Sequence, residues 1–90
     1  MMAKLSIYTK SYCPYCVRAL SVLKSAGITD FEEISIDGRE TEMRQKLVGL
    51  TNGRWDVPQV FVEDQYIGDD DELIALAQSG QLQTMLTEKV

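Results

Sequence analysis

The stretch YTKSYCPYCVRAL, residues 8–20, joins a strand-like run to a helix-like one and holds both cysteines of the chain, Cys13 and Cys16. Upstream, KLSIYT at residues 4–9 alternates Leu5 and Ile7 with Ser6 and Tyr8, the period of two expected of a strand. Downstream, Cys16, Ala19, Leu20 and Leu23 recur at i, i+3, i+4 and i+7, which makes one apolar face of a helix over residues 14–26. Arg18, Ser21 and Lys24 fall off that face, and Gly27 stands where glycine commonly ends a helix. The cysteine pair therefore sits at the seam between a strand and a helix.

Working outward, FEEISI at residues 31–36 reads as a second strand with Ile34 and Ile36 on one face. Asp37 and Glu40 stand three apart, a capping box that opens a helix whose core face is Met43, Leu47 and Leu50. Thr51-Asn52-Gly53 ends it. QVFVEDQYIG, residues 59–68, has the composition of a hairpin turning at Asp64-Gln65. Two short helices follow, with Leu73, Leu76 and Ala77, then Leu82, Met85 and Leu86, facing inward on either side of Ser79-Gly80. The order β-α-β-α-β-β-α-α predicts an α/β domain built on one mixed sheet. Taken singly, Pro58 reads as a strand opener, Trp55 as a packing residue, and Asp69 to Glu72 as a solvated acidic helix start. Tyr8 and Tyr66 read as strand residues.

The bulk properties narrow the function classes. Ninety residues make one small domain, residues 1–90, and an apolar content of 44% is that of a folded protein. A net charge of −5 with no histidine argues against nucleic acid as a partner, because phosphate binding relies on clustered Lys and Arg. MMAKLSIYTK lacks the apolar h-region of a signal peptide. No apolar run approaches the ~18 residues that a membrane span needs. A cytoplasmic, reducing setting is expected, where disulfides are usually catalytic or transient.

Three readings of the cysteine pair compete. A structural staple closing a four-residue loop would remove little entropy from the unfolded chain. A closed zinc site needs four ligands, and this chain offers two Cys and no His, although a site shared between two chains remains open. A Cys-x-x-Cys after a strand and opening a helix fits a redox dithiol. With Pro14 at the first helical position, Cys13 becomes the N-cap and Cys16 lies three residues on, against the core. The Cys13 sulfur then faces the amides of Tyr15 and Cys16 and the positive end of the helix dipole, with Lys10 three residues upstream. All of these favour the thiolate, so Cys13 is the expected nucleophile and Cys16 the buried partner. A thiolate stabilised in this way also leaves readily from a mixed disulfide, which favours turnover by an external thiol.

YTKSYCPYC, DVPQVFV and YIGDDDEL together resemble the dithiol glutaredoxins, and the resemblance runs over nearly the whole chain. It implies a thioredoxin-like fold, with a four-stranded mixed sheet flanked by helices, and glutathione as the reducing cosubstrate. It further implies that Lys10 binds the glycyl carboxylate of glutathione and that Tyr15 packs beside the mixed disulfide. Val57 would pair its backbone with the cysteinyl part, and Pro58 would be a cis proline opposite the cysteines. Free N–H groups near Asp70 and Asp71 would hold the glutamyl carboxylate. Three departures from the family pattern bear on glutathione affinity. Asp56, after Trp55, stands where the family has Thr; Gly68-Asp69 replaces a Gly pair; and Asp70, Asp71 and Glu72 replace the Cys or Ser and Asp that follow.

The expected activity is reduction of protein disulfides and of glutathione mixed disulfides. The expected partners are glutathione and disulfide-containing or glutathionylated proteins, with ribonucleotide reductase among the candidates. A monomer without metal is expected. Two rivals remain. A redoxin reduced by a flavoprotein reductase would not need the carboxylate sites at Lys10 and the helix start. An iron–sulfur carrier would bridge two chains through Cys13 and two glutathiones, and by the family resemblance Pro14 hinders such access.

Overall fold

Leu5 and Ile7 point to one face of the first strand and Tyr8 to the other, and the architecture follows from covering both faces. The computed structural model describes residues 4–63 and 65–88. Its strands are β1 (Leu5–Thr9), β2 (Phe31–Ser35), β3 (Gln59–Val62) and β4 (Gln65–Gly68). Its helices are α1 (Pro14–Ser25), α2 (Glu40–Leu50), α3 (Asp70–Ser79) and α4 (Gln81–Glu88). The strands form one mixed sheet in the order β2-β1-β3-β4. β1 runs parallel to β2, with Leu5 opposite Phe31 and Thr9 opposite Ser35, and α1 supplies the crossover that a parallel pair requires. β1–β3 and β3–β4 are antiparallel. This is the thioredoxin-like arrangement that the family resemblance implies. Asp64, placed at the hairpin turn by the sequence, lies outside the described residues.

On one face of the sheet Leu5, Ile7, Val60 and Val62 pack with Ala19 and Leu23 of α1, Leu73 of α3, and Leu82 and Leu86 of α4. Each fully buried leucine there contributes roughly 1.5–3 kcal/mol. On the other face Tyr8 and Phe61 pack with Ile36 and with Met43 and Leu47 of α2. Tyr8 and Tyr66 flank Phe61 with ring centroids 5.6 and 5.3 Å away, so Tyr8 is a core residue as well as a strand residue. Cys13, Cys16 and Val57 complete this second, smaller core. Among the described residues no helix is long and apolar enough to cross a membrane.

The structure corrects two local expectations. Asp37 does not open α2: Arg39 is the N-cap, without a side-chain capping bond, because Asp37 turns back to the loop after β1. Gly38, at φ 79°, separates Asp37 from the helix start. Leu50 is 44% exposed, whereas Met43 and Leu47 are buried. As the last residue of α2 it borders an open groove with Tyr8, Ile34 and Lys46 instead of closing the core. Gly68 shows why β4 can turn directly into α3. Its φ is 132°, and a Cβ there would run into Cβ and Cγ of Glu72.

Candidate active site

Cys13 caps α1 from an extended backbone conformation, φ −106° and ψ 107°, and Pro14 follows at the first helical position, where its missing N–H breaks no bond. The Cys16 N–H donates to Cys13 Sγ at 3.3 Å. Of the two amides the sequence places at this sulfur, Cys16's makes the bond. The Cys13 thiol in turn donates to the Val57 carbonyl at 3.9 Å. Both cysteines are free thiols, 6% exposed at Cys13 and 2% at Cys16. Burial, reinforced by the hydrogen bond with Cys13, pushes the Cys16 thiol up to about 12, while the nearby Lys10 acts in the opposite direction. Tyr12 and Tyr15 are exposed beside the pair, and Tyr12 holds the left-handed conformation (φ 58°) that turns the chain into the helix.

Asp37 anchors the loop that carries Lys10. The Ser11 N–H donates to its two carboxylate oxygens at 3.0 and 3.2 Å, and the Ser11 hydroxyl donates to Oδ2 as well. Those bonds hold the Asp37 carboxyl below the usual aspartate range. The pairing follows from register, since Ser11 and Asp37 each lie two residues beyond the partners Thr9 and Ser35.

Opposite Cys13, the Val57–Pro58 bond is cis and both residues are buried. A polar network holds this loop. Fully buried Gln59 donates to the Asp56 carbonyl at 2.8 Å and to Asp56 Oδ1 at 3.2 Å, and it accepts from the Tyr66 hydroxyl at 2.7 Å. Arg54 forks onto Asp56 through Nε at 3.2 Å and Nη2 at 2.7 Å, and its Nη1 lies 3.0 Å from Asp69 Oδ2. Burial pushes the Asp56 carboxyl up, and the Arg54 bonds, a backbone N–H and the charges of Arg54 and Arg44 together more than reverse this, leaving it below its ordinary value. From α2, Arg44 donates to the Trp55 carbonyl at 2.9 Å and stands 5.1 Å over its ring, itself braced by Glu40 at 3.1 Å. Trp55 is 57% exposed, so it is a surface residue beside the loop and not the packing residue expected.

The start of α3 also differs from expectation. Two of its first-turn amides are already engaged: Asp69 is the N-cap, and its Oδ1 accepts from Asp71 N–H at 3.0 Å and Glu72 N–H at 3.3 Å. Asp70 is buried, and burial raises its carboxyl above the ordinary value. Arg18 of α1 reaches Asp70 at 3.9 Å and Asp71 at 4.0 Å. The solvated-start reading therefore holds for the exposed Asp71 and Glu72 and fails for Asp70.

The fold thus brings Cys13, Cys16 and Val57 into contact, puts Lys10 near the sulfurs, and sets Asp70 and Asp71 across from α1. Sequence reasoning missed Asp37, Arg54, Arg44 and Gln59. Gln59 carried a signal, as the one polar residue at the head of the apolar run QVFV. Among the described residues no group of three or more Cys, His, Asp or Glu is arranged to hold a metal ion.

The glutaredoxin family model matches residues 5–67. Glutaredoxin 3 of Escherichia coli is 44% identical over 85 residues, which cover 94% of this chain and 99% of that protein. A probable glutaredoxin of Synechocystis is 44% identical over 84 residues, 93% of each chain. Among solved structures, the buckwheat glutaredoxin–glutathione complex superposes with a TM-score of 0.83 at 28% identity, covering 96% of this chain and 78% of that one.

Proposed function

The chain belongs to the glutaredoxin family, and on that premise we propose that it is a glutathione-dependent thiol–disulfide oxidoreductase acting on glutathione mixed disulfides and on protein disulfides. The observation that carries the reading is the pairing of a helix-capping Cys13, its Sγ bonded by the Cys16 amide, with a buried Cys16 directly behind it. An N–H aimed at sulfur from the first turn of a helix stabilises negative charge there, as an attacking or departing thiolate requires.

The Cys13 thiolate attacks a disulfide sulfur of the substrate, forming a mixed disulfide and expelling a thiolate that takes up a proton. If the mixed disulfide is with glutathione, a second glutathione thiolate attacks the glutathione sulfur. This releases Cys13 as thiolate and glutathione disulfide as the oxidised product. If it is with a protein, the Cys16 thiolate attacks Cys13 Sγ and releases the reduced protein. Two glutathiones then return the Cys13–Cys16 disulfide to the dithiol, supplying two electrons and leaving as glutathione disulfide. The raised Cys16 thiol suits this order of events. Two of the influences that raise it, the hydrogen bond and the charge of Cys13, vanish once the Cys13 sulfur is bonded to substrate, while the lowering effect of Lys10 remains. Cys16 is thus held less strongly as the neutral thiol in the mixed disulfide than in the resting dithiol, with burial still the main influence on it.

Lys10 would take the glycyl carboxylate of glutathione and the Val57 backbone its cysteinyl part. Tyr15 would lie beside the mixed disulfide, Pro58 would shape the facing loop, and the start of α3 at Asp70 and Asp71 would receive the glutamyl end. The protein would work as a cytoplasmic monomer without a resident metal. The test is disulfide exchange coupled to glutathione reductase, run on the wild type, Cys13→Ser and Cys16→Ser, with a parallel assay driven by a thioredoxin-reductase system. Cys13→Ser should abolish all turnover. Cys16→Ser should keep deglutathionylation and lose dithiol reduction of protein disulfides. Equal loss of both activities in folded Cys16→Ser, or turnover only with the flavoprotein system, would refute the proposal.

A further inference from the structure

At the start of α3 a carboxylate of the protein itself already occupies the place an anion would take. Asp69 Oδ1 accepts two backbone N–H bonds, from Asp71 at 3.0 Å and Glu72 at 3.3 Å, and Oδ2 lies 3.0 Å from the Arg54 guanidinium. Two first-turn amides and one guanidinium around a single carboxylate form the donor set with which a helix start and an arginine hold a carboxylate ligand. The Asp69 side chain is only 19% exposed, so it fills this cradle and does not overhang it. The cradle is connected to the reacting sulfur. Arg54 also forks onto Asp56, and the next residue, Val57, accepts the Cys13 thiol bond. On the other side Arg18 ties α1 to Asp70 and Asp71.

We propose that Asp69 is a specificity-determining residue, an internal competitor for the glutamyl carboxylate of the cosubstrate. The inference rests on glutathione being the cosubstrate and on its glutamyl end meeting α3. A glutamyl carboxylate that enters here must either displace Asp69 from the amides and from Arg54 or settle beside it against like charge. Asp70, Asp71 and Glu72 add negative charge around the same turn, and Arg18 reaches only the first two, at 3.9 and 4.0 Å. A thiol that presents no carboxylate at this position meets no such competition. The wild type therefore discriminates against glutamyl-bearing thiols relative to the same protein with the cradle vacated.

The experiment compares wild type, Asp69→Gly and Asp69→Asn in reduction of hydroxyethyl disulfide, with glutathione and with cysteinylglycine as the reducing thiol. Cysteinylglycine keeps the cysteine and the glycyl carboxylate and lacks the glutamyl group. Asp69→Gly should lower the KM for glutathione by about fivefold, the size of one like-charge interaction at a partly solvated site. The KM for cysteinylglycine should stay within about twofold of wild type, since this thiol presents no glutamyl carboxylate to the cradle. Asp69→Asn keeps an N-cap oxygen and loses the charge, so it should fold as the wild type does and shift the glutathione KM in the same direction. If the glycine variant melts early, the asparagine variant carries the test. An unchanged or higher glutathione KM in folded variants would overturn the proposal. So would an equal fall for both thiols, which would mean a general loosening of the site. A wild type that turns over with neither thiol would instead overturn the assignment of glutathione as cosubstrate, and the competition with it.

Discussion

Removing the Cys16 thiol should make the reduced protein less sensitive to alkali, by an amount set by its burial. The folded state holds this thiol at about 12 against an ordinary value of 9.0, burial being the main cause. A raised folded value means that the fold favours the neutral thiol. The stabilisation is complete below about pH 9 and is lost as pH rises from 9 toward 12, because only the unfolded chain gains by ionising in that window. Between pH 8 and pH 10 the loss from Cys16 alone is on the order of 1 kcal/mol, several-fold or more in the unfolding constant. Complete titration would raise it to about 4 kcal/mol. The measurement is urea unfolding of wild type and Cys16→Ser at about pH 8 and about pH 10, with a phosphine reductant present throughout. The two proteins differ only at residue 16, so the quantity of interest is the difference between the two pH-dependent losses. Wild type should lose on the order of 1 kcal/mol more than the variant. Equal losses would show that Cys16 ionises in the fold as readily as in the unfolded chain, and the account of its burial would be wrong.

Iodoacetamide at neutral pH should label Cys13 well before Cys16, and mass mapping that finds Cys16 labelled first would contradict the 2% exposure and raised thiol reported above. The Ser11 amide proton shift should follow the Asp37 carboxyl with a midpoint below 3.8, the ordinary aspartate value, because the Ser11 bonds favour the charged form and are lost only as acid protonates it. A midpoint at or above 3.8 in an NMR titration would remove the anchor from the active-site loop. Gly68→Ala should cost about 2 kcal/mol or more, since the new Cβ meets Glu72 and the backbone at φ 132° disfavours any side chain. An unchanged melting curve would mean that the β4–α3 turn relaxes freely.

The parts of the fold that could be read from the sequence are those in which a periodic pattern and a local stop signal agree. β1, α1, the β3–β4 pair and the two final helices follow from alternation, from i, i+3, i+4 spacing, and from Gly27 and Gly80 at helix ends. The cap role of Cys13 followed too, because Pro14 next to it leaves few conformations. What could not be read depends on register between distant segments. Asp37 and Glu40 have the spacing of a capping box, but the parallel pairing of β1 with β2 brings the Ser11 donors to Asp37, and two donors outcompete one helix amide. Leu50 keeps the helical period and loses burial because, as the last residue of α2, it borders the open groove beside Tyr8 and Ile34 instead of packing into the core. Arg54 carried no periodic signal. Its partners are two residues and fifteen residues away, on either side of a hairpin, so its role appears only when the loop and the α3 start are seen together.

The reacting sulfurs belong to the smaller core, among Tyr8, Ile36, Met43, Leu47 and Phe61, and this joins electron transfer to folding in one thermodynamic cycle. The free energy by which oxidation changes the stability of the fold equals the difference between the disulfide's reduction potential in the folded and the unfolded chain. About 1.4 kcal/mol of stability felt by only one redox state therefore appears as about 30 mV of potential. Met43 and Leu47 lie on α2, the helix across the sheet from the one that carries the dithiol, and neither takes part in the exchange chemistry. Truncating either leaves the potential in place if both redox states lose the same packing, and moves it if one state loses more. The side chains that fill this small core are thereby part of the protein's redox tuning, through packing alone.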